Sequence, residues 1–284
     1  MTIRAVVGDI RRRVISSAYQ RPVELASHGP IVSFTFDDFP RSALTVGGDI
    51  LKSFGARGTY YAAIGLMNSI TQLGEQFRQS DLDLLLSEGH ELGHHTLGHI
   101  SSRSVSAQSF KSEVSKGRNI IEKLTGRSTS GNFAYPFGDV TLAAKRLVGA
   151  DVVSARGIWP GINGPLVDLN LLRANRLYGD ISSFAKVRDL ILENERCRSW
   201  LIFYSHDVAS VPSPYGCTPE LLRIAVSFAL QRGARILPVA EVIAELIPTP
   251  IARARDSTLP NGDAPQADQA PDSKVSLPED IMVR

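Results

Sequence analysis

Four short runs in this chain carry residue types or turns suited to hydrolytic chemistry. Thr35, Phe36, Asp37, Asp38, Phe39 and Pro40 place two adjacent carboxylates at the end of an apolar run. Bringing such a pair together is costly unless a cation or hydrogen bonds compensate. Taken alone, the dipeptide reads as turn or helix-cap aspartates. Gly93, His94, His95, Thr96, Leu97, Gly98 and His99 then put three of the six histidines within six residues. A helix starting at His95 stacks His95 and His99 on one face, a spacing suited to two imidazoles on one metal. HxxxH is only moderately specific, and a surface histidine pair is its bland counterpart. With one carboxylate from the first run, two His and one Asp leave a coordination position open to water, the mark of a catalytic divalent site. Phe203, Tyr204, Ser205, His206 and Asp207 add a histidine after another apolar run, as readable as a rim residue as a catalyst. Ala134, Tyr135, Pro136, Phe137 and Gly138 form a strand end and rigid turn, able to aim a backbone N–H into a cleft.

These runs are far apart in sequence, so the fold must bring them together. From Pro30 onward, short β-branched or aromatic runs alternate with helical patterns. Strands are expected at Ile31 to Phe36, Gly58 to Ile64, His90 to Gly93, Asn132 to Tyr135, Asp151 to Ala155, Trp200 to Tyr204 and Ala234 to Leu237. Helices are expected near Ala43 to Phe54, Leu82 to Glu88, Ala107 to Leu124, Thr141 to Val148, Phe184 to Glu193 and Pro219 to Gln231. Ser80 before Asp81, and Thr218 before Pro219, read as helix starts. Regular alternation demands a mostly parallel sheet, and seven units favour a closed or nearly closed α/β barrel over an open doubly wound sheet. No GxGxxG or GxxxxGK[ST] follows the first strand, so neither phosphate-cradling motif supports the open sheet. In a barrel the loops after the strands share one face, and the polar runs sit there.

Composition sets the outer limits. At 284 residues, 43% of them hydrophobic, the chain suffices for one large core. Thirty-one Lys and Arg against 29 Asp and Glu leave a net charge of +2, which disfavours a nucleic-acid partner. Cys197 and Cys217 are too few for a disulfide framework and lack metal-site spacing. Val6, Val7, Ile10, Val14, Ile15 and Ala18 trace an amphipathic helix over residues 3 to 19, with Arg4 and Arg11 to Arg13 mostly elsewhere on the wheel. Packing against the barrel is its expected role, with peripheral membrane contact as the alternative. Arg4, Asp9 and the three arginines interrupt any signal-peptide run, so a cytoplasmic location is expected. The expected division is residues 1–25 as helix and linker, 26–250 as the barrel, and 251–284 as a disordered tail rich in Pro and acidic residues.

In their order, TFDDFP, GHELGHHTLGH, AYPFG and FYSHD resemble the motifs of the polysaccharide deacetylases of the NodB homology family, carbohydrate esterase family 4. The similarity spans about Pro30 to Val239. It implies a deformed (β/α)7 barrel, a single divalent metal and hydrolysis of an N-acetyl group on an amino sugar. Residue by residue, it implies that Asp38, His95 and His99 bind the metal, Asp37 is the general base and His206 the general acid. The Phe137 N–H would stabilise the oxyanion. The expected metal is Zn²⁺, with Co²⁺, Ni²⁺ or Mn²⁺ also suited to two imidazoles and a carboxylate.

The chain departs from the family's common pattern at Ala134, where an arginine usually stands near the base, as some other deacetylases of the family also do. Arg156, in SARGIW, is the candidate replacement, against an ordinary rim ion pair. The family's fourth motif, Asp followed by Trp, is not recognisable, and Trp159 is expected to pack rather than to wall an acyl pocket. His94 is expected beside the site or simply packed, and His90 in the core. The substrate expected is an acylated amino sugar of a polysaccharide or of its lipid- or nucleotide-linked precursor. Two alternatives stand beside it: deformylation of a lipid-linked amino sugar, and a catalytically silent carbohydrate-binding barrel.

Overall fold

The computed structural model describes residues 11–25, 29–129 and 131–246. Its main sheet has eight strands: β1 (Ile31–Asp37), β2 (Thr59–Ala62), β3 (Glu91–His94), β4 (Asn132–Ala134), β5 (Ser154–Arg156), β6 (Asn175–Arg176), β7 (Trp200–Ser205) and β8 (Arg235–Ile236). Their order is β6-β7-β1-β2-β3-β4-β5, with β8 also beside β1, and every pairing is parallel. All seven expected strands are present. The eighth, β6, was not expected, because Asn175 and Arg176 are polar and form no apolar run.

A single feature explains the deformation. One edge of β1 pairs with β7 along its length, but the other is shared: Ile31 and Val32 pair with β8, whereas Thr35 to Asp37 pair with β2. Residues 172–176 span the gap between the two ends of the sheet. Leu172 bridges to Arg156 on β5, and Asn175 and Arg176 pair with Phe203 and Tyr204 on β7. The result is the deformed (β/α)7 barrel expected from the sequence.

β1 is central, and all seven of its residues are buried, the pattern of a strand covered on both faces. Its polar side chains are satisfied internally. Ser33 Oγ donates to the Leu237 carbonyl and accepts from Trp200 Nε1 (2.9 Å), while Thr35 Oγ1 donates to the Phe203 carbonyl.

The helices coat this sheet: α1 (Asp49–Ser53) after a π-wound stretch at Ala43–Gly48, α2 (Gln79–Ser87), α3 (Ala107–Thr125), α4 (Leu142–Gly149), α5 (Phe184–Cys197), α6 (Pro219–Gln231) and α7 (Val239–Leu246). Thr218 caps α6 through the Leu221 N–H, with Pro219 at the first turn. Ser80 does not cap α2. The helix starts earlier because Asp81, as its third residue, reaches back 2.8 Å to the Arg78 N–H.

Of the expected amino-terminal helix, residues 3–10 lie outside the described residues, while 11–17 are helical. Ile15 is buried with Phe110, Phe133 and Val148, and the buried Lys145 ammonium donates to the Ile15 carbonyl at 3.0 Å and pairs with Asp168 at 2.7 Å. The segment therefore packs on the barrel. The tail expected at 251–284 lies outside the described residues. No helix among the described residues is long and apolar enough to cross a membrane.

Candidate active site

At the carboxyl end of β1 the backbone turns sharply. Asp38 and Phe39 both take left-handed φ angles of 62° before Pro40. Such conformations are uncommon outside glycine and concentrate at functional sites. The turn sends the two carboxylates different ways. Asp37 contacts the Arg156 guanidinium, and Asp38 faces His95 and His99.

The two histidines do meet, but not on a helix. After β3 the chain runs as a loop in which Thr96 (φ 66°) and His99 (φ 51°) are left-handed, and this reversal returns His99 towards His95. Their ring centroids lie 5.0 Å apart. The expected helical stacking is therefore corrected. The helix cannot form because the chain must leave β3 and turn over the cleft, with the Leu97 N–H bonded to the Glu113 carbonyl on α3.

His95 Nε2 lies 3.5 Å and His99 Nε2 3.0 Å from Asp38 Oδ1, and the ligand atoms of the three residues lie within 4.8 Å of one another. His95 Nδ1 is 2.7 Å from the Ala134 carbonyl, which can only accept. The proton therefore sits on Nδ1, and Nε2 presents its lone pair to the cluster. Burial, partly offset by Asp37, lowers the His95 pKa to about 4, so the ring is neutral near pH 7. Burial pushes the Asp38 carboxyl up, but His99 at hydrogen-bond distance, together with His95 and His206, brings it down to about 2. Asp38 Oδ1 is buried yet receives no well-directed hydrogen bond. An ionised oxygen and imidazole lone pairs converging without a satisfactory donor are a donor set that fits a divalent cation.

Arg156 answers the absence of arginine at position 134 geometrically. Ala134 on β4 and Arg156 on β5 are direct partners in the parallel ladder. The guanidinium thus arises one strand to the side of the family's usual position. It is fully buried, donates from NH1 to the Gly157 carbonyl and from NH2 to Asp37, and lies 5.0 Å from the Tyr61 ring centroid and 5.3 Å from that of Tyr204. The aromatic faces add cation–π attraction. Gly93 makes room for this arrangement, because a Cβ there would stand 2.6 Å from Tyr61 Cδ1.

A cavity of about 320 Å³ joins these groups, lined among others by Asp37, Asp38, His95, His99, Phe137 and His206. His206 Nδ1 lies 3.1 Å from the Tyr215 carbonyl. That contact places the proton of the neutral ring on Nδ1. Phe137 takes a left-handed φ of 59°, and its ring sits 4.5 Å from that of His99. The Gly138 and Asp139 N–H groups turn back onto the Tyr135 and Pro136 carbonyls, leaving the Phe137 N–H outside these turn bonds.

Trp159 packs against the Phe110–Tyr135 cluster and Ile158 lines the cavity instead. His90 is a core residue whose Nδ1 accepts from the Gly58 N–H. His94 is fully buried with neither ring nitrogen bonded, and burial lowers its pKa to about 3. Sequence reasoning missed Tyr61, Arg176, Tyr178 and Tyr215. Arg176 ends and Tyr178 lies just beyond a polar strand with no apolar run, and Tyr61 sits inside an apolar strand that reads as core.

The fold and cluster together define a mostly parallel barrel with a buried carboxylate–arginine pair and an Asp-His-His cluster able to hold a cation at the carboxyl ends of its strands. The family model for polysaccharide deacetylase matches residues 24–151, and over that span, somewhat under half of the chain, the sequence is similar to this family. The matched span holds Asp37, Asp38, His95, His99 and Phe137, whereas Arg156 and His206 lie beyond it. The peptidoglycan-N-acetylglucosamine deacetylase of Bacillus cereus is 27% identical over 101 residues, covering 35% of this chain and 44% of that protein. The match thus spans less than half the length of that relative. Among solved structures, the Xyl-CE4 domain of a multidomain xylanase from the hindgut metagenome of Trinervitermes trinervoides superposes with a TM-score of 0.55 at 17% identity, covering 77% of this chain and 91% of that one. A mutant of a pseudoenzyme from the same esterase family superposes at 0.50 with 14% identity, covering 76% and 68%. At such identities these likenesses speak for the fold, and the residues of the cleft must speak for the chemistry.

Proposed function

We propose that the protein hydrolyses the N-acetyl amide of an amino sugar, in a polysaccharide or in its lipid- or nucleotide-linked precursor. The observation that carries this reading is the convergence of Asp38, His95 and His99 beside a separate carboxylate, Asp37, held by Arg156. Asp38, His95 and His99 would hold a divalent metal, with Zn²⁺ the best match to two imidazoles and a carboxylate. When bound, such an ion supplies Lewis-acid polarisation of the acyl oxygen and a more acidic water.

The protein's own groups divide the remaining work. Asp37 accepts the proton of the attacking water as general base. Arg156 fixes that carboxylate, so little reorganisation is needed at the moment of transfer. The Phe137 N–H donates to the oxyanion of the tetrahedral intermediate. His206, held through Nδ1 by the Tyr215 carbonyl, gives a proton from Nε2 to the departing amine once protonated itself. The Arg156–Asp37 pair weighs against the silent-barrel reading, whose best argument is Ala134.

The test is amine release from N-acylated amino-sugar oligosaccharides, with acetate and formate measured separately. Activity is expected to vanish on chelation and to return with Zn²⁺, Co²⁺, Ni²⁺ or Mn²⁺. Undiminished turnover by metal-free protein would overturn the mechanism. Formate as the sole product would move the assignment to a deformylase.

A further inference from the structure

The other charged groups of the cleft already have a place. Asp37 pairs with Arg156, and Asp38 belongs with His95 and His99 to the cluster that fits a cation. Arg176, at the end of β6, is the exception. Its side chain lines the same cavity as the candidate catalytic residues. Its Nε donates to the Tyr204 hydroxyl at 3.3 Å, and its guanidinium carbon lies 5.9 Å from the Tyr178 ring centroid. Among the described residues its two terminal amino groups meet no carboxylate and no other protein acceptor. Other arginines differ in this respect: Arg78, Arg188, Arg232 and Arg235 each pair with a carboxylate, whereas among the described residues Arg127, Arg146 and Arg223 form no ion pair but lie away from the cavity. Arg176 is thus anchored by its neighbours and lacks a counter-charge.

We infer that Arg176 forms a subsite for an anionic group, phosphate or carboxylate, carried by the acylated sugar. A guanidinium held at Nε offers its other edge as a planar fork, which matches two oxygens of either anion. Its partners hold it in place, so less side-chain entropy is lost when the anion arrives. Arg176 is exposed at the mouth of the cavity, beside Ile158, Tyr178 and Tyr215, so an anion can reach its free edge from solvent. The ligand's identity as an acylated sugar rests on the deacetylase reading, while the anion preference can be measured without turnover.

The experiment is calorimetric binding to the full-length, metal-loaded Asp37→Asn protein, run in parallel with turnover by the wild type. The probes are N-acetylglucosamine, N-acetylglucosamine 1-phosphate and N-acetylmuramic acid. At least one anionic sugar is expected to bind about ten-fold more tightly than the neutral one, an advantage that shrinks with added salt. Preference for the phosphate or for the carboxylate identifies the group. Adding Arg176→Gln should abolish the advantage, and Arg176→Lys should retain part of it. Equal binding of all three sugars, no binding of either anionic sugar, or an equal loss for neutral and anionic sugars in Arg176→Gln each overturns the subsite. Anion preference without amine release from any probe leaves the subsite standing and counts against the hydrolase. Amine release without anion preference does the reverse.

Discussion

The two ends of the barrel both bury carboxylates, and they treat them in opposite ways. Strand β3 connects the ends, with Glu91 at its start and His95 just past its finish. Glu91 accepts hydrogen bonds from Thr59 Oγ1 (2.8 Å), Asn132 Nδ2 (2.7 Å) and the Ala240 N–H (2.7 Å), and Asn132 in turn accepts from Ser154. This network ties β2, β3, β4, β5 and α7 together. At the other end, Asp38 and His95 face each other without good donors, and the backbone around them is left-handed at Asp38, Phe39, Thr96, His99 and Phe137. Burial of a carboxylate is therefore no sign of function in itself. The informative features are unmatched acceptors and strained backbone together.

Four substitutions press on this contrast. The largest effect is expected from Asp37→Asn, which keeps the shape and removes the proposed base. Turnover should fall about 10³-fold, within the range for general-base removal. Bound metal, measured by elemental analysis, should stay. Retention of most activity would take the base role from Asp37.

Glu91→Ala should act on stability instead. Stranding three buried donors costs about 3 kcal/mol, or a Tm lower by about 6–12 °C for a barrel of this size. Turnover of the protein that remains folded should stay within about two-fold, since Glu91 lies outside the catalytic end. A variant of normal Tm and lost activity would erase the distinction between the ends.

His94 offers a test through pH. Burial lowers its pKa to about 3 from an ordinary 6.5, so the unfolded chain binds the extra proton first as the medium is acidified. Stability from this residue is complete above pH 6.5 and is lost as the pH falls through the window down to about 3. His94→Phe should flatten that decline, retaining about 2 kcal/mol relative to wild type near pH 5 in denaturant titrations. An unchanged slope would mean that the buried ring is not the source.

The smallest effect is expected from Arg156→Lys. The charge stays beside Asp37, but the planar fork and its stacking between Tyr61 and Tyr204 are lost, so kcat/KM should fall about ten-fold with little change in Tm. An equal fall on Asp37→Asn and on the double variant would show that Arg156 works through Asp37.

Much of this molecule was legible in advance because β1 and β7 are long apolar runs ending in polar residues. Their carboxyl ends point where any parallel barrel gathers its chemistry. The helices announced themselves by periodicity and, at Thr218, by a cap. The HxxxH spacing misled in a useful way: the two rings meet as required, through a left-handed loop that periodicity cannot encode. Ser80 misled because an aspartate three residues into a helix can serve its start as well as a cap can. Arg176 and Tyr178 stayed hidden because Asn175 and Arg176 are polar and give their short strand no apolar run, unlike the equally short β8 inside Ala234 to Leu237. The aromatic sandwich around Arg156 joins β2, β5 and β7, a coincidence in space only.

The ladder pairing of Ala134 with Arg156 has a consequence for how such proteins diverge. A guanidinium supplied from the next strand reaches the same carboxylate, so the charge can migrate sideways across a sheet while the pocket keeps its form. Linear patterns that demand arginine at one position will overlook chains of this kind. A search for any cation projecting from either of two adjoining strands would recover them.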